Sequence, residues 1–390
     1  MAAAEEYRER MSTEVDAGVV QRIERTCTRA ATTDELFTAL SHEVNKVVPF
    51  DGSMWFGVDP STVLAVAPAR FEALEDGYCQ TFWDGEFHEP DVVLYRDLVR
   101  QPTPAAGLRQ VTADRPLLSS RYRRFVTPQG YDDELRVAFR SGDNTWAVAA
   151  LYREKGRPPF TPEEITLMAG LSGIVGAAFR TRVATGTVAS ALYAAPGLLM
   201  FDASNVLVSA NVEANQWLDD IYGMGRDGTE TWRDLLPDGS SSDLRSAIPI
   251  LPLLARARAV AAGLDEGPAR LRLRDRTGRW LVFHASCLRG GPADGAVTVV
   301  VEPAKSTDVA PIIIEAYGLA PRERDVVRAI ARGLSTPDIA AELFLSAHTV
   351  RYYIKSVFEK VGVSTRGELV AKLFADHYSD PMHATAVHVH

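Results

Sequence analysis

The stretch LSAHTVRYYIKSVFEKVGV, residues 345–363, admits few folds. Val350, Ile354, Val357, Phe358 and Val361 recur at helical spacing and put every apolar side chain on one stripe. Ser346 is a residue type that caps a helix start, and Gly362 is one that ends it. The other face carries Thr349, Arg351, Tyr352, Lys355 and Ser356, with no carboxylate before Glu359. Arg351 and Lys355 are four residues apart, so they stack on one side of the helix.

That positive face stands out against its chain. The protein has 390 residues and a formal net charge of −9. As a whole it is no polyanion binder, so any nucleic-acid surface must be local. From Leu319 to Tyr378 there are nine Lys/Arg and seven Asp/Glu, and the remainder carries 33 against 44. The length exceeds one ordinary core and implies several domains. Cys27, Cys79 and Cys287 lie far apart without a CxxC, which argues against a disulfide framework or zinc site. The start, MAAAEEYRERM, is polar, and no apolar run approaches the ~20 residues of a membrane span. A cytoplasmic protein that makes no membrane contact is expected.

Along the chain, residues 15–47 follow a helical pattern broken near 31–34. Residues 49–68 suggest two short strands around Pro60, and 72–130 are mixed. DELRVAFRSGDNTWAVAALYRE predicts a hairpin turning at Ser141-Gly142-Asp143-Asn144. Thr161-Pro162-Glu163-Glu164 reads as a capping box opening a helix to about Arg182. A second α+β unit follows, with a strand, an Asp202–Asn205 turn, a strand and a helix. It continues with a hairpin around Arg276-Thr277-Gly278 and ends in the strand GAVTVVVEPA. Lys305–Val309 looks like a polar linker, and from Ala310 strand signals vanish.

The last sixty residues predict four helices. The first starts at Pro321 and stops at Gly333. The second is capped by Ser335 with Asp338 three residues on. The third is the opening stretch, and the fourth is capped by Ser364 and runs to Phe374. Two short helices, a tight turn and a longer exposed helix make the helix-turn-helix plan, whose second member can enter the major groove. The residues Leu319, Arg322-Glu323, Gly333-Leu334-Ser335, Asp338-Ile339-Ala340, Leu345-Ser346 and Thr349-Val350-Arg351 resemble the LuxR/GerE-type DNA-binding domain. So do Lys360-x-Gly362-Val363 and Arg366. In that family Thr-Val-Lys opens the recognition helix. Arg351 stands here for the Lys, Tyr353 and Ser356 for His and Asn, and Ala320 for a capping Thr. The resemblance implies a DNA face of Ser346, Thr349, Arg351, Tyr352, Lys355, Ser356 and Lys360, and a homodimer is expected; the fourth helix is either its seam, as is usual in that family, or simply packs on the first helix.

The front of the chain resembles a GAF-like domain over 15–184 and a PAS-like domain over 185–303. Residues 304–318 form the linker, 319–378 the DNA-binding domain, and 1–14 and 379–390 flexible ends. The fold class expected is thus multidomain, two α+β sensor-type domains and an all-α four-helix module. Trp55, Phe82, Trp83, Phe87, Tyr95, Tyr131 and Trp146 concentrate aromatic surface in the first domain, as a pocket for a small organic or hydrophobic ligand would. A small-molecule effector, double-stranded DNA and RNA polymerase are the expected partners. No P-loop, receiver-type acidic pair, HExxH or other catalytic or metal constellation appears, so no enzyme is expected. GLSGIVG, 170–176, has Ile174 where a nucleophile elbow needs glycine. The rival expectation is a constitutive DNA-binding protein whose front domains only dimerise or bind protein.

Overall fold

The computed structural model describes residues 17–75, 77–185, 195–222 and 249–375. The chain packs as two compact units. One comprises 1–179, 197–271 and 283–300, and the other 180–196, 272–282 and 301–390. No described helix is long and apolar enough to cross a membrane.

The first unit opens with helix α1 (17–29) and α2 (Thr33–Asn45). Thr32 breaks them apart by capping α2: its hydroxyl accepts the Glu35 amide while Glu35 accepts back from Thr32. Strands β1 (Gly52–Val58) and β2 (Ala65–Glu72) follow. Residues 72–130, unassigned from the sequence, hold α3 (Cys79–Phe87), α4 (Tyr95–Leu98), β3 (Ala105–Gly107) and α5 (Leu108–Val111). The expected hairpin is β4 (Tyr131–Ser141) and β5 (Asn144–Glu154), joined by Gly142 at φ 63° and Asp143. The sheet order is β2-β1-β5-β4-β3, with antiparallel pairing throughout.

Both faces of β4–β5 are buried: β5 runs apolar from Trp146 to Leu151, whereas β4 carries Asp133, Glu134 and Arg136 into the interior. On one face lies α6 (Pro162–Thr185), opened by the Thr161–Glu164 capping box and packed on α2 through Phe37 and Phe179 at 4.8 Å. Residues 170–176 sit inside α6. A Cβ at Gly176 would meet the Arg140 carbonyl at 2.3 Å, so glycine there lets the helix reach the strand. On the other face α3 brings Phe82 and Trp83 to Phe56.

The second sheet contains β6 (Gly197–Phe201), β7 (Leu207–Ala210), β8 (Arg270–Arg274), β9 (Trp280–Cys287) and β10 (Val297–Pro303). Its order, β7-β6-β10-β9-β8, repeats that of the first sheet, strand for strand. Helix α7 (Val212–Tyr222) follows β7 as expected. The apolar helix α8 (Ile250–Ala261) was not anticipated. Its arginines are placed by backbone oxygens: Arg258 donates to Asp202 O at 2.6 Å and to Gly295 O, and Arg256 to Thr62 O at 2.6 Å. The ends expected at 1–14 and 379–390 lie outside the described residues.

In the second compact unit the expected non-periodic linker is corrected to a helix, α9 (Ser306–Ala316). Asp308 accepts the Lys305 amide at 3.2 Å and completes the first turn, and Val309, Ile312 and Ile313 share a buried stripe. Four helices follow: α10 (Pro321–Ala331), α11 (Thr336–Glu342), α12 (Ala347–Val361) and α13 (Arg366–Val370). The last is extended by a π-helical turn, Ala371–Ala375. Its cap is Thr365 rather than Ser364. Thr365 is extended at φ −132° and its hydroxyl takes the Glu368 amide at 3.1 Å, while Ser364 only donates its N–H to the Glu368 carboxylate.

Candidate nucleic-acid interface

The interface is built from the order in which α12 is fixed. Ser346 at φ −75° and ψ 149° turns its hydroxyl to the Thr349 amide at 3.0 Å, which satisfies an open N–H of the first turn. Gly362 at φ 70° closes the other end. Val350, Val357 and Val361 are buried against α10 and α11, with Ile354 and Phe358 partly covered. That leaves His348, Arg351, Tyr352, Lys355 and Glu359 exposed in a row. Tyr352 is 67% exposed and packs edge-on to Tyr353 at 5.8 Å between ring centres. Lys355 reaches Glu359 only at 3.9 Å, a loose surface pair.

The structure divides the seven residues expected at the DNA face. Ser346, Arg351, Tyr352 and Lys355 are exposed, and Thr349 is half-buried beside the cap. Lys360 is exposed as well, and Ser356 is partly covered. The Ser356 hydroxyl and the Lys360 ammonium each donate at 2.6 Å to the carboxylate of Glu323, which is 4% exposed. Burial works to raise the Glu323 carboxyl, but bonds from Lys360, Ser356 and the Ala320 amide outweigh it and hold it below the usual range. The same carboxylate accepts the Ala320 N–H at 2.7 Å, so half a capping box survives without a capping side chain. Sequence reasoning missed His348, though its position three residues before Arg351 marks the same face. It also missed Phe344, 95% exposed at φ 55° in the turn before α12. Leu369 and Leu373, on the fourth helix, are buried in this domain's own core, and Arg366 ties α13 to Leu334 O and to the Thr336 hydroxyl at 2.7 Å each.

The seven aromatic residues expected in a ligand pocket are also divided. Trp83, Phe87 and Tyr95 line one cavity in the first unit. Trp55 instead stacks on Phe139 at 5.9 Å, Phe82 packs against Phe125 at 5.1 Å, and Tyr131 against Tyr152 at 5.3 Å. Trp146 donates to Ser141 O at 3.2 Å near the hairpin turn. Beneath them runs a buried charge network. Arg136 and Arg121 share Glu134, Arg136 also holds Glu86, and Arg136 lies 4.4 Å over the Tyr95 ring. Of the histidines, His88 hydrogen-bonds Ala255 O at 2.9 Å and pairs with Asp84 at 3.3 Å. Among the described residues no group of three His, Cys, Asp or Glu is placed to hold a metal ion.

Residues 318–373 match the family model described as GerE, bacterial regulatory proteins, luxR family, so this segment is a LuxR-type helix-turn-helix domain. Curated relatives match over the same end of the chain. The HTH-type regulator Mb0914c of Mycobacterium bovis is 48% identical over 52 residues, 13% of this chain and 6% of its own. A protein described as the transcriptional regulatory protein NarL of Mycobacterium tuberculosis is 38% identical over 76 residues, 20% and 32% of the two chains. The transcriptional regulatory protein UhpA of Escherichia coli is 43% identical over 56 residues, 14% and 29%. The chain thus spans less than a third of the length of each of these relatives. Among solved structures, the chromophore-binding domain of Stigmatella aurantiaca bacteriophytochrome aligns over 42% of this chain and 59% of its own, at 12% identity and a TM-score of 0.29. VqmA bound to DPO aligns over 49% and 87%, at 16% identity and a TM-score of 0.19. Neither score reaches the level at which a shared fold follows.

Proposed function

We propose that this protein is a DNA-binding transcriptional regulator that reads its operator through α12 and adjusts that reading to a small molecule. One observation carries the DNA part. His348, Arg351, Tyr352 and Lys355 stand exposed in a row, beside a capped helix start, on a helix whose other side is locked into its domain. Arg351 is the candidate for bidentate contact with guanine or phosphate. Lys355 suits a phosphate, where a point charge is enough. Ser356 braces the helix through Glu323, and Lys360 pairs with the same carboxylate while staying exposed.

A single helix of this size covers a small footprint, so the reading includes a homodimer on two half-sites about one helical turn apart. The two sheet domains, with their common strand order, are read as GAF-like and PAS-like sensors. Effector binding would shift the population between two arrangements of the recognition helices, a coupling of about 1–3 kcal/mol. RNA polymerase is the further partner that an activating regulator would contact.

The test is selection of bound sequences from random duplexes by the full-length protein, followed by affinity against salt for the selected site. The expected result is an enriched, two-fold symmetric site, with affinity falling as a power of salt concentration. No enrichment over the input pool sinks the reading. Enrichment from a protein that answers to no small molecule leaves the constitutive version, in which the front domains only assemble the dimer.

A further inference from the structure

Within the first compact unit, α8 of the second sheet domain closes over the first. His88 Nε2 meets Ala255 O at 2.9 Å, and Arg256 Nη1 donates to Thr62 O at 2.6 Å. Between them is a cavity of about 30 Å³. Its apolar wall is Phe56, Val58, Ala65, Trp83, Phe87 and Val148. Its polar wall includes Thr62, Tyr95 and Arg256.

These three residues share an unusual property. The Thr62 hydroxyl, the Tyr95 hydroxyl and Arg256 Nε are all buried, and none has a hydrogen-bond partner among the described residues. Thr62 and Tyr95 are 7% and 5% exposed. A buried polar group left unpaired is costly, so three at one cavity are too many to be incidental. All three can donate, and the feature they lack in common is an acceptor.

Charge narrows the acceptor. Arg96 also lines the cavity, and Asp265 pairs with Arg256 at 3.4 Å. Glu86 lines it too, but its carboxylate is held by Arg136 and by the Tyr95 amide. Burial first, and repulsion from Arg100 and Arg96, hold the Arg256 guanidinium below its ordinary pKa despite Asp265. Both wall carboxylates are thus engaged by arginines, and Arg256 Nε is left without an acceptor among the described residues. The adjoining Val63 sits at φ 58°, a conformation that β-branched residues rarely adopt.

We propose that this cavity is the effector site, that it takes a small monocarboxylate with an apolar body, and that α8 is its lid. The carboxylate oxygens accept from Arg256 Nε, the Tyr95 hydroxyl and the Thr62 hydroxyl. The apolar body lies against Phe56, Trp83 and Phe87. The free volume in this arrangement holds about two waters. A branched acid therefore fits only if α8 shifts on α3, which makes occupancy felt at the junction of the two domains. The proposal rests on the reading of the chain as an effector-responsive regulator.

The experiment titrates the full-length protein with sodium isobutyrate, following tryptophan fluorescence and thermal midpoint. Sodium chloride at matched ionic strength is the reference, and isobutyramide is the uncharged isostere. The expected result is a saturable response to isobutyrate, with isobutyramide at least about tenfold weaker. Tyr95→Phe and Thr62→Val should each weaken isobutyrate about three- to tenfold, and Arg256→Gln more than either. The first two change one buried atom each, so the test survives if Arg256→Gln does not fold. A response equalled by chloride or by isobutyramide, no response, or equal affinity in the Tyr95 and Thr62 variants overturns the site. DNA affinity is measured on the same preparation. Specific DNA binding without an isobutyrate response overturns the site and leaves the regulator. An isobutyrate response in a protein without specific DNA binding does the reverse.

Discussion

Arg136 and Arg351 carry the same guanidinium in opposite settings. Arg136 is wholly buried between Glu134 and Glu86, under the ring of Tyr95. Burial alone would lower its pKa, but the two carboxylates raise it well above the ordinary value. Arg351 stands in solvent, in a row with His348, Tyr352 and Lys355. A buried charge held between two carboxylates fixes one packing and lies out of reach of a partner. An exposed charge on a rigid helix costs the fold little and is available to phosphate or base. The contrast separates residues that hold this protein together from those that act on something else.

The comparison breaks hardest at Arg136. Arg136→Met leaves Glu86 and Glu134 buried without their cation, and should destabilise the N-terminal sheet domain by about 3–5 kcal/mol. Urea unfolding followed by tryptophan fluorescence measures it, and a loss near zero would show that water already reaches the network. Arg351→Ala should leave that transition in place and cost about 1–3 kcal/mol of affinity for the selected duplex. Unchanged affinity would remove α12 from the interface.

Smaller effects sharpen the boundary between bracing and reading. Ser346→Ala should cost about 1 kcal/mol of stability in the helical domain, read by circular dichroism. Glu323 tests the same point through pH. Its folded carboxyl sits below the ordinary value, so its contribution is present above that value and lost as pH falls through the folded one. The urea midpoint of the helical domain should therefore drop below about pH 4.5 in the parent and drop less in Glu323→Gln. An identical acid response in both would clear Glu323 of the role. Smallest is Lys355→Ala, expected to reduce the log–log salt slope of DNA binding by about 1 with base preference unchanged.

Much of this was legible in the sequence where structure is local. The stripe Val350–Val361 with Ser346 and Gly362 gave α12 its limits, because caps and helical periodicity are properties of neighbouring residues. The turn at Gly142-Asp143 and the box at Thr161–Glu164 were legible for the same reason. Residues 72–130 were not, since their short helices and one three-residue strand are held by distant partners such as Asp132 and Asp133.

What the sequence by itself determined is the helical C-terminal module, its exposed basic face and the two hairpin-bearing α+β regions. Tertiary structure alone decided that Lys360 and Ser356 meet Glu323, 37 and 33 residues away. It alone decided which aromatic rings line a cavity and which fill the core, and it brought Arg256 over Thr62, 194 residues apart. The reason is range. Caps and periodicity act over one or two turns, whereas the partner of a buried charge is set by how whole elements pack, and no spacing in the chain records that.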